Sequence, residues 1–310
     1  MGGGLAGPGL AGAVAAAGGL GTLGLLPPRE LRESIRQVQE VAPDRAVAVN
    51  LLMPFVRRRH VEVCVQSRID VAVIAFGMDR SLLRWLSEQR VYVFVMVGTE
   101  EQARRACGCG ANGLIAQGVE AGGHLSGETP ALTFLPRALE IARGRPVLLA
   151  GGIATADDTR AALAAGAAGV VAGTRFLLTD EACANREYQR RILKADTTFR
   201  TTLFGLGWPA PHRVVANAAT RRWCHDDGRA KLLPRLITAG SGMLAKLPDP
   251  AIGPVVRSQR AAMPMFSPVA PTVEMPDSTV ERTALYAGET ALRMTSVISA
   301  HQAVTELSPE

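Results

Sequence analysis

Aromatic residues are scarce in this sequence, with three tryptophans, three tyrosines and eight phenylalanines among 310 residues. A surface that binds nucleic acid by stacking bases on aromatic side chains is therefore not indicated. Cysteine is sparse as well. Cys64, Cys107, Cys109, Cys183 and Cys224 are odd in number and contain no C-x-x-C pair, which points away from a disulfide framework and from a zinc site. Reduced packing cysteines in a cytoplasmic protein are expected. Residues 2–26 carry no charge, yet no Lys or Arg precedes them, as a signal peptide would require. Ten of those 25 residues are glycine and Pro8 interrupts them, so the stretch makes a poor spanning helix and no membrane partner is expected. There is no acid pair, nucleophile elbow or metal constellation. A G-x-G-x-x-G fingerprint after a strand is also absent.

Acidic residues are few in one segment. Residues 200–260 hold ten Lys and Arg against three Asp, so the net charge of +6 originates there. Without stacking aromatics beyond Trp208 and Trp223, this pattern indicates a solvated face or attraction of a small anion rather than nucleic acid.

What the sequence does contain is a recurring apolar run of four to eight residues, each followed by a helical pattern. The runs are 20–26, 46–52, 71–76, 92–97, 113–117, 147–152 and 169–176. Their unbroken Val, Ile and Leu content is that of parallel strands buried on both faces. Helical stretches lie between them, among them one begun by Thr155, Asp157 and Asp158 and ended by Gly166. Successive strand–helix units predict an α/β fold, a (β/α)8 TIM barrel, with an open doubly wound sheet as the alternative. Seven units are visible where a barrel needs eight. The chain opens on a glycine-rich loop and a small-residue helix, which should follow a first strand that is missing. Residues 1–198 are read as the barrel. Prolines then cluster, and 199–280 is read as a helical or irregular cap carrying the substrate. The pattern over 281–310 is read as a C-terminal amphipathic helix packing back on the barrel.

In such barrels the chemistry lies at the C-terminal ends of the strands. Asn50 is a polar residue near the end of an apolar strand, and Gln117 ends another, with His124 in the loop beyond it. Gly151–Gly152 follow one late strand and Gly173–Thr174 the next. Glycines there let backbone N–H groups approach an anion, and a following helix N-terminus adds a favourable dipole, so a phosphate site is expected. Gly122–Gly123 let the backbone before His124 pass close to a ligand. A neutral imidazole in that place could take a proton from an acidic C–H or donate to an anionic substrate. Glu120 is read as a loop-fixing carboxylate. His60, His212, His225 and His301 are read as structural.

The segments MGGGLAGPGLAGAVAAAGGLGTL, VNLL, QGVEAGGH, LLAGGIATADD, GVVAGTRFL and LYAGE together resemble the nitronate monooxygenase family, formerly 2-nitropropane dioxygenases. The resemblance covers nearly the whole chain. It implies an FMN-containing TIM barrel with a smaller helical insertion. It implies that Met1, Gly2, Asn50, Gln117 and Gly122 lie against FMN. Gly151, Gly152, Val171, Ala172, Gly173 and Thr174 would hold its phosphate, His124 would be the catalytic base, and Tyr286 would lie on the substrate side. The implied reaction takes an alkyl nitronate and O2 to a carbonyl compound and nitrite. The implied partners are therefore a small anionic or carbonyl-type substrate and O2, and a homodimer is left open. Family members carry a strand and a short Ala-Pro before the position of Met1, so the natural start is expected upstream. Flavin-dependent enoyl-thioester and quinone reductases share the GGH and GGI pieces, which keeps an NAD(P)H-dependent reductase open beside the monooxygenase. An inactive flavin-binding barrel is the remaining alternative.

Overall fold

A computed structural model describes residues 4–242 and 258–309. They form two compact units. The first draws on Met1–Ala121, Ser126–Cys183 and Ser296–Glu310, the second on Gly122–Leu125 and Ala184–Thr295.

The first unit carries seven parallel strands: β1 (Gly21–Leu23), β2 (Val47–Leu52), β3 (Val71–Ala75), β4 (Tyr92–Val97), β5 (Gly113–Gln117), β7 (Val147–Ala150) and β8 (Gly169–Val171). The helices of this unit are α1 (Pro8–Ala16), α2 (Pro28–Val41), α3 (Arg58–Gln66), α4 (Arg80–Glu88), α5 (Glu100–Gly108), α6 (Ala131–Ala142), α7 (Ala156–Ala164) and the single turn α8 (Thr174–Leu177). Each strand pairs with the strand that precedes it in this unit, and the order never reverses. A doubly wound sheet would reverse, so that alternative is excluded. The walk is the one a (β/α) barrel takes, with β1 and β8 as its ends.

Side chains alternate between the sheet's two faces. Val47, Val49, Leu51, Ala72, Ile74, Val93, Val95, Leu114, Ala116, Val147 and Leu149 join the large core under the helices. Ala48, Val71, Val73, Phe94, Ile115 and Ala150 form a smaller cluster on the opposite face, with Met96, Leu148 and Val171 against it. The helices present matching apolar stripes, as where α2 buries Leu31, Ile35 and Val38 at helical spacing. Local signals fix their ends. The Asp79 carboxylate accepts from the Ser81 and Leu82 N–H groups to start α4. Thr155 and Asp158 form a capping box at α7. Gly166, at φ +98°, lies just beyond the last turn of α7.

The second unit holds a three-stranded antiparallel sheet in the order β6 (Gly123–His124), β10 (His212–Val214), β9 (Phe199–Thr201). Around it lie α9 (Arg186–Leu193), α10 (Ala218–Trp223), α11 (Leu232–Ala239) and two 3-10 turns, Asp277–Glu281 and Glu289–Arg293. Leu203, Phe204, Val214, Ala219, Phe266 and Ala284 make its core. The single helix expected over 281–310 is not formed. Thr283, Ala284, Leu285 and Ala287 are all fully buried, Tyr286 bridges to Val214, and beyond the 3-10 turn at Glu289–Arg293 the α-helix is confined to α12 (Ala300–Leu307). Consecutive burial leaves no solvent-facing stripe, so the apolar run reads as extended chain through a core. Among the described residues, no helix is long and apolar enough to cross a membrane.

The seat of β1 on α1 depends on one glycine. A Cβ at Gly21 would lie 2.0 Å from the Ala11 carbonyl oxygen. Gly21→Ala is expected to cost about 1–3 kcal/mol by overpacking. Gly108→Ala, where no atom lies within 4 Å of the new Cβ, is expected to be neutral or stabilising by up to about 1 kcal/mol. Urea unfolding of the two variants checks this, and equal midpoints would contradict it.

Candidate active site

In the first unit the expected residues collect where the strands end. The register pairs Gln117 with Ala150 and Ala150 with Val171, so β5, β7 and β8 finish side by side. Gly151 and Gly152 follow β7 at φ +110° and +77°, a left-handed turn that favours glycine. Beside Gly152 a Cβ would meet only Glu120, at 3.5 Å, and at Gly173 it would meet nothing within 4 Å. The chain therefore leaves open space at Gly173. The expected dipole from a following helix is small, because α8 is one turn long. Arg175 of α8 is buried and donates from Nη2 to the Leu178 and Ser296 carbonyls, which ties this turn to the C-terminal segment.

Gln117 is buried, and its Oε1 accepts from the Ser126 N–H at 2.7 Å. The Glu120 carboxylate accepts from the Ala131 N–H at 2.9 and 3.2 Å and so starts α6, the loop-fixing role expected of it. Asn50 lies on the face of the smaller cluster by its alternation with Ala48. Its Oδ1 is shut off from solvent and accepts no hydrogen bond from the described residues. A buried acceptor left this way costs about 1–3 kcal/mol, which a bound donor would offset. Met1 and Gly2 lie outside the described residues.

The second unit gathers the aromatic rings, whose separations are given between ring centroids. The His124 imidazole stacks on the Trp208 indole at 3.6 Å and 13°. His212 stands 5.0 Å and Tyr286 5.4 Å from His124, and His212 meets Tyr286 edge-on at 5.7 Å. Backbone pairing makes this set. His124 is the ladder partner of His212, and Leu125 N–H donates to the Pro211 carbonyl. Tyr286 Oη donates to the Pro268 carbonyl at 3.1 Å, and Tyr188 Oη donates to the Tyr286 carbonyl at 2.5 Å. Gly122 has a packing reason as well, since a Cβ there would lie 2.4 Å from the Gly288 nitrogen.

Burial, and then the neighbouring His212, hold the His124 conjugate acid well below the usual histidine range. Burial likewise pushes His212 down to about 4. Both imidazoles are thus neutral at pH 7. The His212 tautomer follows from its contacts: Nε2 accepts from the Phe204 N–H at 3.3 Å, so Nδ1 carries the proton to the Ala210 carbonyl at 2.9 Å. Burial raises the Tyr286 hydroxyl far above its ordinary value. Three arginines of the basic segment are ion-paired within the second unit. Arg221 reaches Glu281, Arg229 reaches Asp227, and buried Arg213 reaches Glu289; Lys246 and Arg257 lie outside the described residues. All five cysteines are free, and among the described residues no group of His, Cys, Asp and Glu could hold a metal.

Sequence reasoning passed over Trp208 and read His212 as structural. Both sit against His124 only because β6 and β10 pair across nearly 90 residues, a relation that no local spacing reveals.

Parallel strands ending in glycine turns, with a buried neutral histidine elsewhere in the chain, are the equipment of an α/β enzyme. A model of the nitronate monooxygenase family matches residues 44–310, and the chain belongs to that family. Its similar proteins carry oxidoreductase names. It is 35% identical over 219 residues to "(3aS,4S,5R,7aS)-5-hydroxy-7a-methyl-1-oxo-octahydro-1H-indene-4-carboxyl-CoA dehydrogenase" of Mycobacterium tuberculosis, covering 68% of this chain and 60% of that protein's length. It is 31% identical over 268 residues to nitronate monooxygenase npaC of Metarhizium robertsii, covering 72% of each. The nitroalkane oxidase structure from Streptomyces ansochromogenes superposes with a TM-score of 0.79 at 26% identity, over 99% of this chain and 92% of that one.

The depressed His212 gives a pH dependence. Its folded value of about 4 lies below the unfolded value of about 6.5. The unfolded chain therefore binds the extra proton between these values, and stability falls as pH drops from 6.5 toward 4. The contribution at neutral pH is on the order of 3 kcal/mol. Thermal unfolding followed from pH 7 to 4 should show this loss, with a shallower dependence in His212→Asn. An unchanged slope in the variant would contradict it.

Proposed function

We propose that the protein is an FMN-dependent nitronate monooxygenase that takes alkyl nitronates and O2 to carbonyl compounds and nitrite. The observation that carries this reading, beside the family membership, is a buried and neutral His124 set among aromatic rings, suited to an acidic C–H or its anion. The seven strands of the first unit are read as the wall of a (β/α)8 barrel and the second unit as the substrate domain.

The residues of the first unit fit the cofactor. The unsatisfied Asn50 Oδ1 would accept from a ring N–H. Gln117 would stand nearby on the same row of strand ends. Gly151, Gly152, Val171, Ala172, Gly173 and Thr174 would surround the phosphate, with Gly173 open where a Cβ would otherwise intrude. FMN supplies the electron acceptor when bound. The chain's own part is to bind and orient. Gly122 sets the backbone that carries His124, and Tyr286 lines the substrate side. His124 takes the proton of a neutral nitroalkane at its imidazole and so delivers the nitronate. Its low proton affinity keeps the ring in the basic form, and the nitronate charge beside it would stabilise the imidazolium that results.

A second reading has one specific support, the 35% identity to a CoA-thioester dehydrogenase. On that reading the same barrel would serve thioester redox chemistry with NAD(P)H or another carrier.

The test is nitrite release and O2 uptake with a preformed nitronate, set against anaerobic NAD(P)H consumption with an enoyl thioester or quinone. Nitrite with matching O2 uptake is expected; reductant consumption without nitrite would favour the second reading. His124→Asn is expected to lose about 10²–10⁴-fold on neutral nitroalkanes and much less on preformed nitronates. Equal losses on both would remove the general-base role.

A further inference from the structure

The segment that faces His124 in the second unit is a tight turn, Gly205–Ala210, followed by Pro211. Trp208 N–H donates to the Gly205 carbonyl and Ala210 N–H to the Trp208 carbonyl, both at 2.8 Å. Gly207 adopts φ +80°, and its N–H donates to Ser241 Oγ at 2.8 Å. Ser241 Oγ in turn donates to the Thr238 carbonyl at 2.7 Å. At Gly205 a Cβ would meet Thr238 Cγ2 at 2.8 Å and the Thr202 carbonyl at 2.9 Å. The turn is thus held by α11 through Thr238, and its course is fixed by glycines at close approaches.

From this turn three groups act on the histidine strand. The Trp208 indole lies face to face on the imidazole. The Ala210 carbonyl accepts a hydrogen bond from His212 Nδ1–H and so helps set that ring's tautomer. The Pro211 carbonyl accepts from Leu125 N–H, the residue next to His124. A stack at 3.6 Å and 13° covers one face of His124 and stops rotation of the ring, while Trp208 itself remains only half-buried.

We propose that Trp208 is a positioning residue for proton transfer at His124: its indole fixes the imidazole plane and shields one face from water, so that a substrate C–H can meet the ring only along its edge or its other face. This rests on the nitronate monooxygenase reading for the identity of the substrate, but not for the effect on His124 itself. The rings against the imidazole include His212 from β10, Tyr286 from the segment that bridges to Val214, and the uncharged indole. Arg213, on the next rung of the ladder, is turned to Thr198 and Glu289. Neither His212 nor Tyr286 carries charge at neutral pH, so water access to the face under the indole is the main variable that Trp208 controls. Removing the indole hydrates His124 and moves its protonation midpoint upward, because burial is the leading cause of its depression.

The experiment compares Trp208→Ala and Trp208→Phe with the parent holoprotein in two readouts. The first is turnover of a neutral nitroalkane against its preformed nitronate. Trp208→Ala is expected to lose on the order of 10- to 100-fold in kcat on the nitroalkane, as a misplaced catalytic group does, with little change on the nitronate. Trp208→Phe, which keeps a flat face over the ring, is expected to recover most of the loss. The second readout is an NMR titration of histidine-labelled protein, with the His124 signal assigned through His124→Asn. The midpoint is expected to rise in Trp208→Ala and to stay near the parent's in Trp208→Phe. Equal losses on both substrates, or an unmoved His124 midpoint in Trp208→Ala, would overturn the proposal. If the parent turns over neither nitro compound, the functional reading fails, and the titration alone decides the positioning role by the same criterion.

Discussion

Burial of the parallel strands on both faces is the constraint from which the rest follows. Helices cover one face and a second, smaller apolar cluster fills the other. A strand in that position has no place for polar groups along its length, so they are confined to its ends. Gln117 stands where this rule puts it, at the last position of β5, while Asn50, two residues before the end of β2, is the exception and its Oδ1 accepts no hydrogen bond from the described residues. The glycines after β7 and β8 then leave backbone exposed beside them. The polar character of this edge is thus a consequence of how the sheet is buried, without any separate device.

The second unit solves a different problem, the presentation of a histidine. A two-residue strand is too short to fix a side chain by itself. Its orientation comes from its ladder partner His212, from the Pro211 carbonyl and from the Trp208 face, all supplied by one turn and the strand after it. The same burial that fixes the ring removes water from it and keeps it neutral. Position and proton affinity are therefore set by one packing arrangement, and a change in either alters both.

The fold was legible in the sequence to the extent that burial is periodic. The seven strands fall within a few residues of the apolar runs, and Thr155 and Gly166 mark α7 as capping chemistry requires. The region 281–307 was misleading because its apolar residues are consecutive in burial, and a core-threading segment imitates a helical stripe when only composition is visible. The strand-end residues were legible for the same reason as the strands. Trp208 and His212 were not, since their relation to His124 exists only through pairing of distant segments. Glycine carried a mixed signal: Gly173 leaves open space and Gly152 supplies a positive φ, whereas Gly122 and Gly21 admit the protein's own backbone. A glycine in a sequence cannot say which of these it serves.

The central claim is that the row of strand ends in the first unit holds FMN. The most direct measurement is the visible absorption spectrum of the purified protein, with the released chromophore identified after denaturation. The account predicts a flavin spectrum and FMN as the released species, or stoichiometric uptake of FMN by apoprotein. A folded, colourless protein that takes up no FMN would contradict it.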